Sequence, residues 1–209
     1  MLLAIDTSAG TSVAIVDGGR VLARCDSDDP RRHAEVIGEL IAACLDEARI
    51  AVTSLDGVVA GMGPGPFTGL RVGIAAARAF AVGAGLPIIP AVSHEAIAFE
   101  ALEARDRPVI VATDARRQEV YWSAYSGLDD RGLPTRRHAP SLTKVAELEH
   151  LVSGFDGYEL VQTRTVSAAA LGLVAELQRA SGRAPAANEP LYLRSPDVTL
   201  SAGPKRVTG

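Results

Sequence analysis

The residues best placed to do chemistry gather at one junction, Gly61-Met62-Gly63-Pro64-Gly65-Pro66-Phe67-Thr68-Gly69-Leu70-Arg71-Val72-Gly73. The run follows a continuous apolar stretch, Val58-Val59-Ala60, and opens an Ala-rich helical stretch, so it joins a buried strand to a helix. A helix start carries unpaired backbone N–H groups, and glycines let a phosphate or another backbone come close. No lysine follows the glycines, which excludes a Walker-type phosphate cradle, and Gly61-x-Gly63 lacks the third glycine of a dinucleotide fingerprint. Two readings remain at this point: a tight turn that permits close helix packing, or an element that docks a ligand or protein.

The other reactive residue types are sparse. Neither G-x-S-x-G nor H-E-x-x-H occurs, and His94-Glu95 meets Ala98 where a second histidine would have to stand, so peptidase chemistry is not expected. His33 and His94 each stand alone near a helix start and read as capping or surface residues. Cys25 and Cys44 have no metal-binding spacing and read as small core residues in a reducing, cytoplasmic compartment.

The elements that position these residues come from an apolar chain. Of 209 residues, 47% are hydrophobic and only 4% aromatic, so Ala, Val, Leu and Gly must pack helices closely on sheets. A net charge of −4 argues against a chain that holds nucleic acid alone, so any RNA role would be indirect. Met1-Leu2-Leu3-Ala4-Ile5 runs straight into Asp6 and reads as a first strand, not a signal peptide, and no membrane span is expected.

Strands are expected at 2–5, 11–16 and 20–24, the last two joined by a hairpin turn at Asp17-Gly18-Gly19. A helix follows over 30–49, started by Asp28-Asp29-Pro30, with Val36, Ile37, Leu40, Ile41, Cys44 and Leu45 at helical spacing. A buried strand at 57–60, a helix at 70–84, a strand at 86–89 and a helix capped by Ser93 and running to about 105 complete a unit. The pattern then restarts: Val109-Ile110-Val111-Ala112-Thr113-Asp114 echoes Leu2-Leu3-Ala4-Ile5-Asp6. A strand at 118–125, a Pro-bounded segment, a short helix near 142–151, an apolar run at 159–161 and a helix at 166–180 follow. The fold class is α/β, a duplication with its second copy cut short, in units 1–106 and 107–195, with a flexible tail expected over 196–209.

A strand ending in Asp6-Thr7-Ser8, then a hairpin, in such a duplicated unit, resembles the actin-like ATPase superfamily of ribonuclease-H-like folds. Within it, the 63–73 segment, Asp114-Ala115-Arg116-Arg117-Gln118-Glu119-Val120-Tyr121 and Pro190-Leu191-Tyr192-Leu193-Arg194 are similar to motifs of the TsaB (YeaZ) family. Two positions depart from that family's pattern: Pro66 stands where a serine is common, and Gln118 where glycine is frequent.

The resemblance implies a partner subunit in making N6-threonylcarbamoyladenosine in tRNA, with a TsaD-type transferase supplying the active site and a TsaE-type ATPase acting in turnover. It implies no catalytic or metal residues here. The second hairpin lacks glycine and no late Gly-Gly pair occurs, so ATP or ADP is expected weakly or only at a partner interface, with Asp6, Thr7, Ser8 and Asp114 as the candidates. Behind the junction, Gly69, Gly73, Ala77, Ala81 and Gly85 recur every four residues, beside Arg71 and Arg78. A partner interface is accordingly expected at Phe67, Thr68, Leu70, Arg71, Gly73, Ile74, Ala77 and Arg78, with Ile37, Leu40 and Ile41 of the preceding helix. The same helices could pair two copies of the chain. A competing reading makes the chain a nucleotide-dependent phosphotransferase or ATPase acting through Asp6 and Asp114, and packing of the small-residue stripe on the chain's own sheet also stays open.

Overall fold

A computed structural model describes residues 1–194 except 28, 30, 31 and 106. The expected tail, and Asp28 and Pro30 of the expected helix start, lie outside the described residues. The chain opens with β1 (Leu2–Asp6), β2 (Thr11–Asp17) and β3 (Arg20–Ser27), an antiparallel meander. Gly18 and Gly19 make the tight turn, at φ +56° and +78°, values that suit glycine. Then come α1 (His33–Ala48), β4 (Gly57–Gly61), α2 (Phe67–Ala84), β5 (Ile88–Ala91) and α3 (Ser93–Ala104). The sheet order is β3-β2-β1-β4-β5, with β4 parallel to both β1 and β5.

The second half repeats the plan and stops early. It holds β6 (Val109–Asp114), β7 (Glu119–Leu128), β8 (Pro134–Lys144), the single turn α4 (Leu148–Leu151), β9 (Glu159–Thr163) and α5 (Ala168–Ala180). Its order, β8-β7-β6-β9, matches the first four strands of the first sheet and lacks the fifth. The duplicated, truncated α/β architecture is therefore present.

Three apolar layers hold the elements. The α1 and α2 helices cover one face of the first sheet through Ile37, Ile41, Cys44, Leu70, Ile74 and Ala77. The α3 and α5 helices lie between the sheets, where Leu2, Ala14, Phe99, Val111, Tyr125 and Leu171 join one cluster. The outer face of the second sheet keeps a smaller cluster around Trp122 and Leu148. Because α5 packs on β1 and β2 of the first sheet, the two halves share their central core.

Several boundaries differ from those expected. Residues 142–144 belong to β8, where Leu142 and Thr143 pair with Tyr121 and Val120, so the helix expected near 142–151 shrinks to α4. The Pro-bounded segment is an 11-residue edge strand, a place where proline and solvated arginines are tolerated. The α2 helix starts at Phe67, not 70, and β5 at Ile88, not 86. Ser93 does not cap α3, whose start has no side-chain cap. The 18 residues of α2 have a mean hydropathy of 1.2 and are long and apolar enough to cross a membrane by composition alone. Its apolar side, however, is packed on the first sheet.

Candidate functional site

The glycine junction folds back onto Asp6-Thr7-Ser8 at the end of β1. Asp6 is 1% exposed. One carboxylate oxygen accepts from the Ser8 backbone N–H at 2.8 Å and the Ser8 hydroxyl at 2.5 Å, and the other from the Ser93 hydroxyl at 2.5 Å. Burial pushes its carboxyl above the ordinary value against the opposing pull of these hydrogen bonds. Ser93 in turn accepts from the Gly63 N–H at 3.0 Å, tying the junction to the start of α3.

Thr7 enters the helix itself. Its hydroxyl donates to the Gly69 carbonyl at 2.7 Å and accepts from the Gly73 N–H at 3.0 Å, bridging an i→i+4 pair of α2. A Cβ on Gly73 would stand 2.1 Å from that hydroxyl, one on Gly61 would stand 2.0 Å from Asp6 Oδ2, and one on Gly65 would stand 2.8 Å from Ser8 Cα. The glycines exist for close approach, and what approaches is the chain's own β1 and the turn after it. Pro66 occupies the α2 N-cap and supplies no side-chain cap.

Asp114 does not join this cluster through any hydrogen bond. It is exposed, and its carboxylate accepts from the Arg116 N–H at 2.8 Å within the β6–β7 turn. Arg116, Arg117 and Gln118 follow one another in the left-handed region, at φ +62°, +54° and +62°. Each such non-glycine residue costs about 1–2 kcal/mol, so the turn holds three side chains in a conformation that glycine would adopt freely. Arg194 buttresses the turn, donating to the Ala115 carbonyl at 2.6 Å and pairing with Glu119.

Both helix-start histidines are interior residues, contrary to expectation. His33 is 9% exposed and shares a hydrogen bond of 2.7 Å with Thr11 Oγ1. His94 is 0% exposed, with Nδ1 2.6 Å from Ser123 Oγ and Nε2 3.1 Å from Thr113 Oγ1. With both ring nitrogens engaged and Ala98 one turn on, this helix offers no imidazole pair for a metal. Among the described residues no three His, Cys, Asp or Glu side chains converge to hold one.

The expected partner interface divides in two. Leu70, Gly73, Ile74 and Ala77 face the chain's own core, as do Ile37 and Ile41, and Leu40 is half-buried against the same cluster. The stripe recurring every four residues from Gly69 is thus the inward face of α2, and these residues do not form a free surface. The exposed face lies a quarter to a half turn away. On α2 it holds Thr68, Arg71, Ala75, Arg78, Ala79, Val82 and Gly83, and Val82 is 83% exposed. On α1 it holds Ala34, Gly38 and Ala42 beside Glu35, Glu39 and Asp46. Two adjacent helices thus present small side chains, one with an acidic border and the other with a basic one.

A segment without helical or strand periodicity, of which the sequence marks only the motif at 190–194, runs beside this face. Residues 186–194 have no helix or strand, yet they cross from the first half to the second. The Ala186 N–H donates to Pro90 O at 3.1 Å and the Leu191 N–H to Met62 O at 2.8 Å. Arg78 donates to Asn188 O and Oδ1 at 3.0 and 2.9 Å, and the Tyr192 ring lies 4.8 Å from that of Phe67. Arg71, stacked 3.9 Å over Phe67, donates to the Tyr192 hydroxyl at 3.4 Å. Arg71 and Arg78, expected at a partner interface, are therefore engaged by this strap. A groove of about 860 Å³ opens elsewhere, at the start of β1, lined among others by Leu2, Phe99, Leu177, Arg131 and Glu176.

A mixed sheet of order 3-2-1-4-5, repeated in shortened form across a shared helical layer, defines the ribonuclease-H-like class to which actin-like ATPases belong. The sequence profile of the TsaD family, tRNA N6-adenosine threonylcarbamoyltransferase, matches residues 27–183, and the chain belongs to that family. An uncharacterized protein of Mycobacterium tuberculosis is 36% identical over 211 residues, covering 94% of this chain and 93% of the relative. The tRNA threonylcarbamoyladenosine biosynthesis protein TsaB of Escherichia coli is 36% identical over 134 residues, 63% of this chain and 57% of that protein. The solved structure of YeaZ from Pseudomonas aeruginosa superposes with a TM-score of 0.77 at 26% identity, covering 92% of this chain and 99% of that one. The likeness to TsaB and YeaZ carried by the three motifs thus extends through the fold.

Proposed function

We propose that the chain is a partner subunit of the tRNA threonylcarbamoyladenosine machinery, which binds and organises the TsaD-type transferase and performs no chemistry of its own. The observation that carries this reading is the closure of the glycine junction. Asp6, Thr7 and Ser8, the residues that would otherwise face a phosphate or metal, are spent within the chain: Thr7 on α2, Asp6 on Ser93 of α3, and Ser8 on Asp6. Membership in the transferase family and likeness to TsaB proteins support the partner reading over a nucleotide-dependent phosphotransferase or ATPase.

Docking falls on the exposed ridge of α1 and α2. Small side chains allow two helix pairs to approach closely, and an acidic border on α1 with a basic one on α2 suits a two-fold or pseudo-two-fold pairing. The same ridge would pair two copies when the transferase is absent. In this reading a TsaE-type ATPase and any ATP or ADP act at the assembled interface, tRNA is met through the transferase, and the work is cytoplasmic.

Titration calorimetry of the purified transferase into this chain tests the surface. Saturable binding is expected for wild type and is expected to vanish in an Ala79→Glu, Val82→Glu double variant that melts like wild type. Undiminished binding by that variant would show that the ridge is not the docking face.

A further inference from the structure

We infer that residues 186–194 are a positioning strap for docking, through which the second half of the chain sets the two arginines on α2. This rests on the partner reading above. Arg71 and Arg78 lie seven residues apart and so share one side of α2. Stepping round the helix at 100° per residue, the exposed Ala75, Ala79 and Val82 come next, and Val72, Ala76 and Phe80 follow toward the cluster shared with α1. The small-residue ridge is therefore bordered by α1 on one side and by the strap on the other.

The strap's ties explain what it does to that border. Asn188 holds Arg78 through two oxygens, and Tyr192 with Phe67 holds Arg71 by a ring stack and a hydroxyl. Long guanidinium side chains lose much rotamer freedom when a partner captures them, and a side chain already held has less to lose. The far end of the strap is anchored by Arg194 on the strained β6–β7 turn. Arginine placement on α2 is thereby linked to the second sheet. The occupant of the border is the transferase, through a helix that carries carboxylates, because α2 has two arginines and no acidic residue.

The test uses the full chain. A Tyr192→Ala, Arg194→Ala double variant should show faster hydrogen exchange at the Leu191 amide, bind the purified transferase about tenfold or more weakly, and retain its melting temperature within a few degrees. Tyr192→Phe, which keeps the ring contact, should restore most of the affinity when paired with native Arg194. Faster exchange with unchanged or tighter binding would overturn the positioning role, and unchanged exchange would overturn the anchoring assigned to these two residues. If wild type itself does not bind the transferase, the partner reading fails and the strap's role fails with it; if wild type binds and the double variant binds equally, the strap's role alone fails.

Discussion

His94 shows at the residue scale how the interior was specified. It is fully buried between Ser123 and Thr113, and burial together with the Arg136 charge lowers its pKa from 6.5 to about 3. The unfolded chain takes up a proton near the ordinary imidazole value, and the folded chain only far below it. The stability contributed by the neutral ring is therefore complete above about pH 6.5 and falls with pH through the window down to the depressed value. The slope approaches 1.4 kcal/mol per pH unit, about what one proton contributes. Chemical denaturation at neutral pH and at about pH 5 should show this loss in wild type and a markedly smaller one in His94→Gln; an equal loss in both would place the titrating group elsewhere. Sequence alone did not reveal this role, because the nearest visible feature was a helix start. The direction in which Ser93 and His94 point is fixed by Asp6, 87 residues away, and by the second sheet.

At the scale of the element, α2 has two stripes of small residues, of which one faces inward. Gly69, Gly73, Ala77 and Ala81 line the inward face, and Ala75, Ala79 and Gly83 the outward one. Spacing alone could not say which stripe meets the sheet; the close approach of Thr7 decides it. Gly73→Ala should destabilise the fold by about 1–3 kcal/mol, the range for overpacking a core, since its Cβ would collide with Thr7. Gly83→Ala, with nothing within 4 Å, should stabilise by about 0.5–1 kcal/mol through helix propensity. Thermal melts of the two variants would contradict this assignment of faces if the signs were reversed or both were neutral. The β2–β3 hairpin, the buried β4 and the helical periodicity of α1 were legible because each carries a local pattern. The β8 strand was not, since Pro134, Pro140 and the run Arg136-Arg137-His138 are the composition of a solvated edge. The strap was missed for a related reason: only its motif Pro190-Leu191-Tyr192-Leu193-Arg194 stood out, and what it touches depends on tertiary contact.

For the whole molecule, the duplication explains both what was kept and what was given up. The second unit ends its sheet at four strands, and α5 moves inward to share a core with the first sheet. The two halves are held together by that core and by the strap, while the glycine junction at 61–73 is closed by the chain itself. What remains outward is the exposed ridge of α1 and α2, the surface we propose for docking another protein. We propose that this surface, and not Asp6, is what the modification of tRNA requires. The direct measurement is threonylcarbamoyladenosine formation on unmodified tRNA, reconstituted from purified transferase, ATPase and a threonylcarbamoyl-adenylate source, with and without this chain. Product is expected to form only when the chain is present, the Ala79→Glu, Val82→Glu variant is expected to fail to replace it, and a correctly folded Asp6→Asn variant is expected to support the reaction. Product formed equally well without the chain, or lost in a folded Asp6→Asn variant that still binds the transferase, would contradict that proposal.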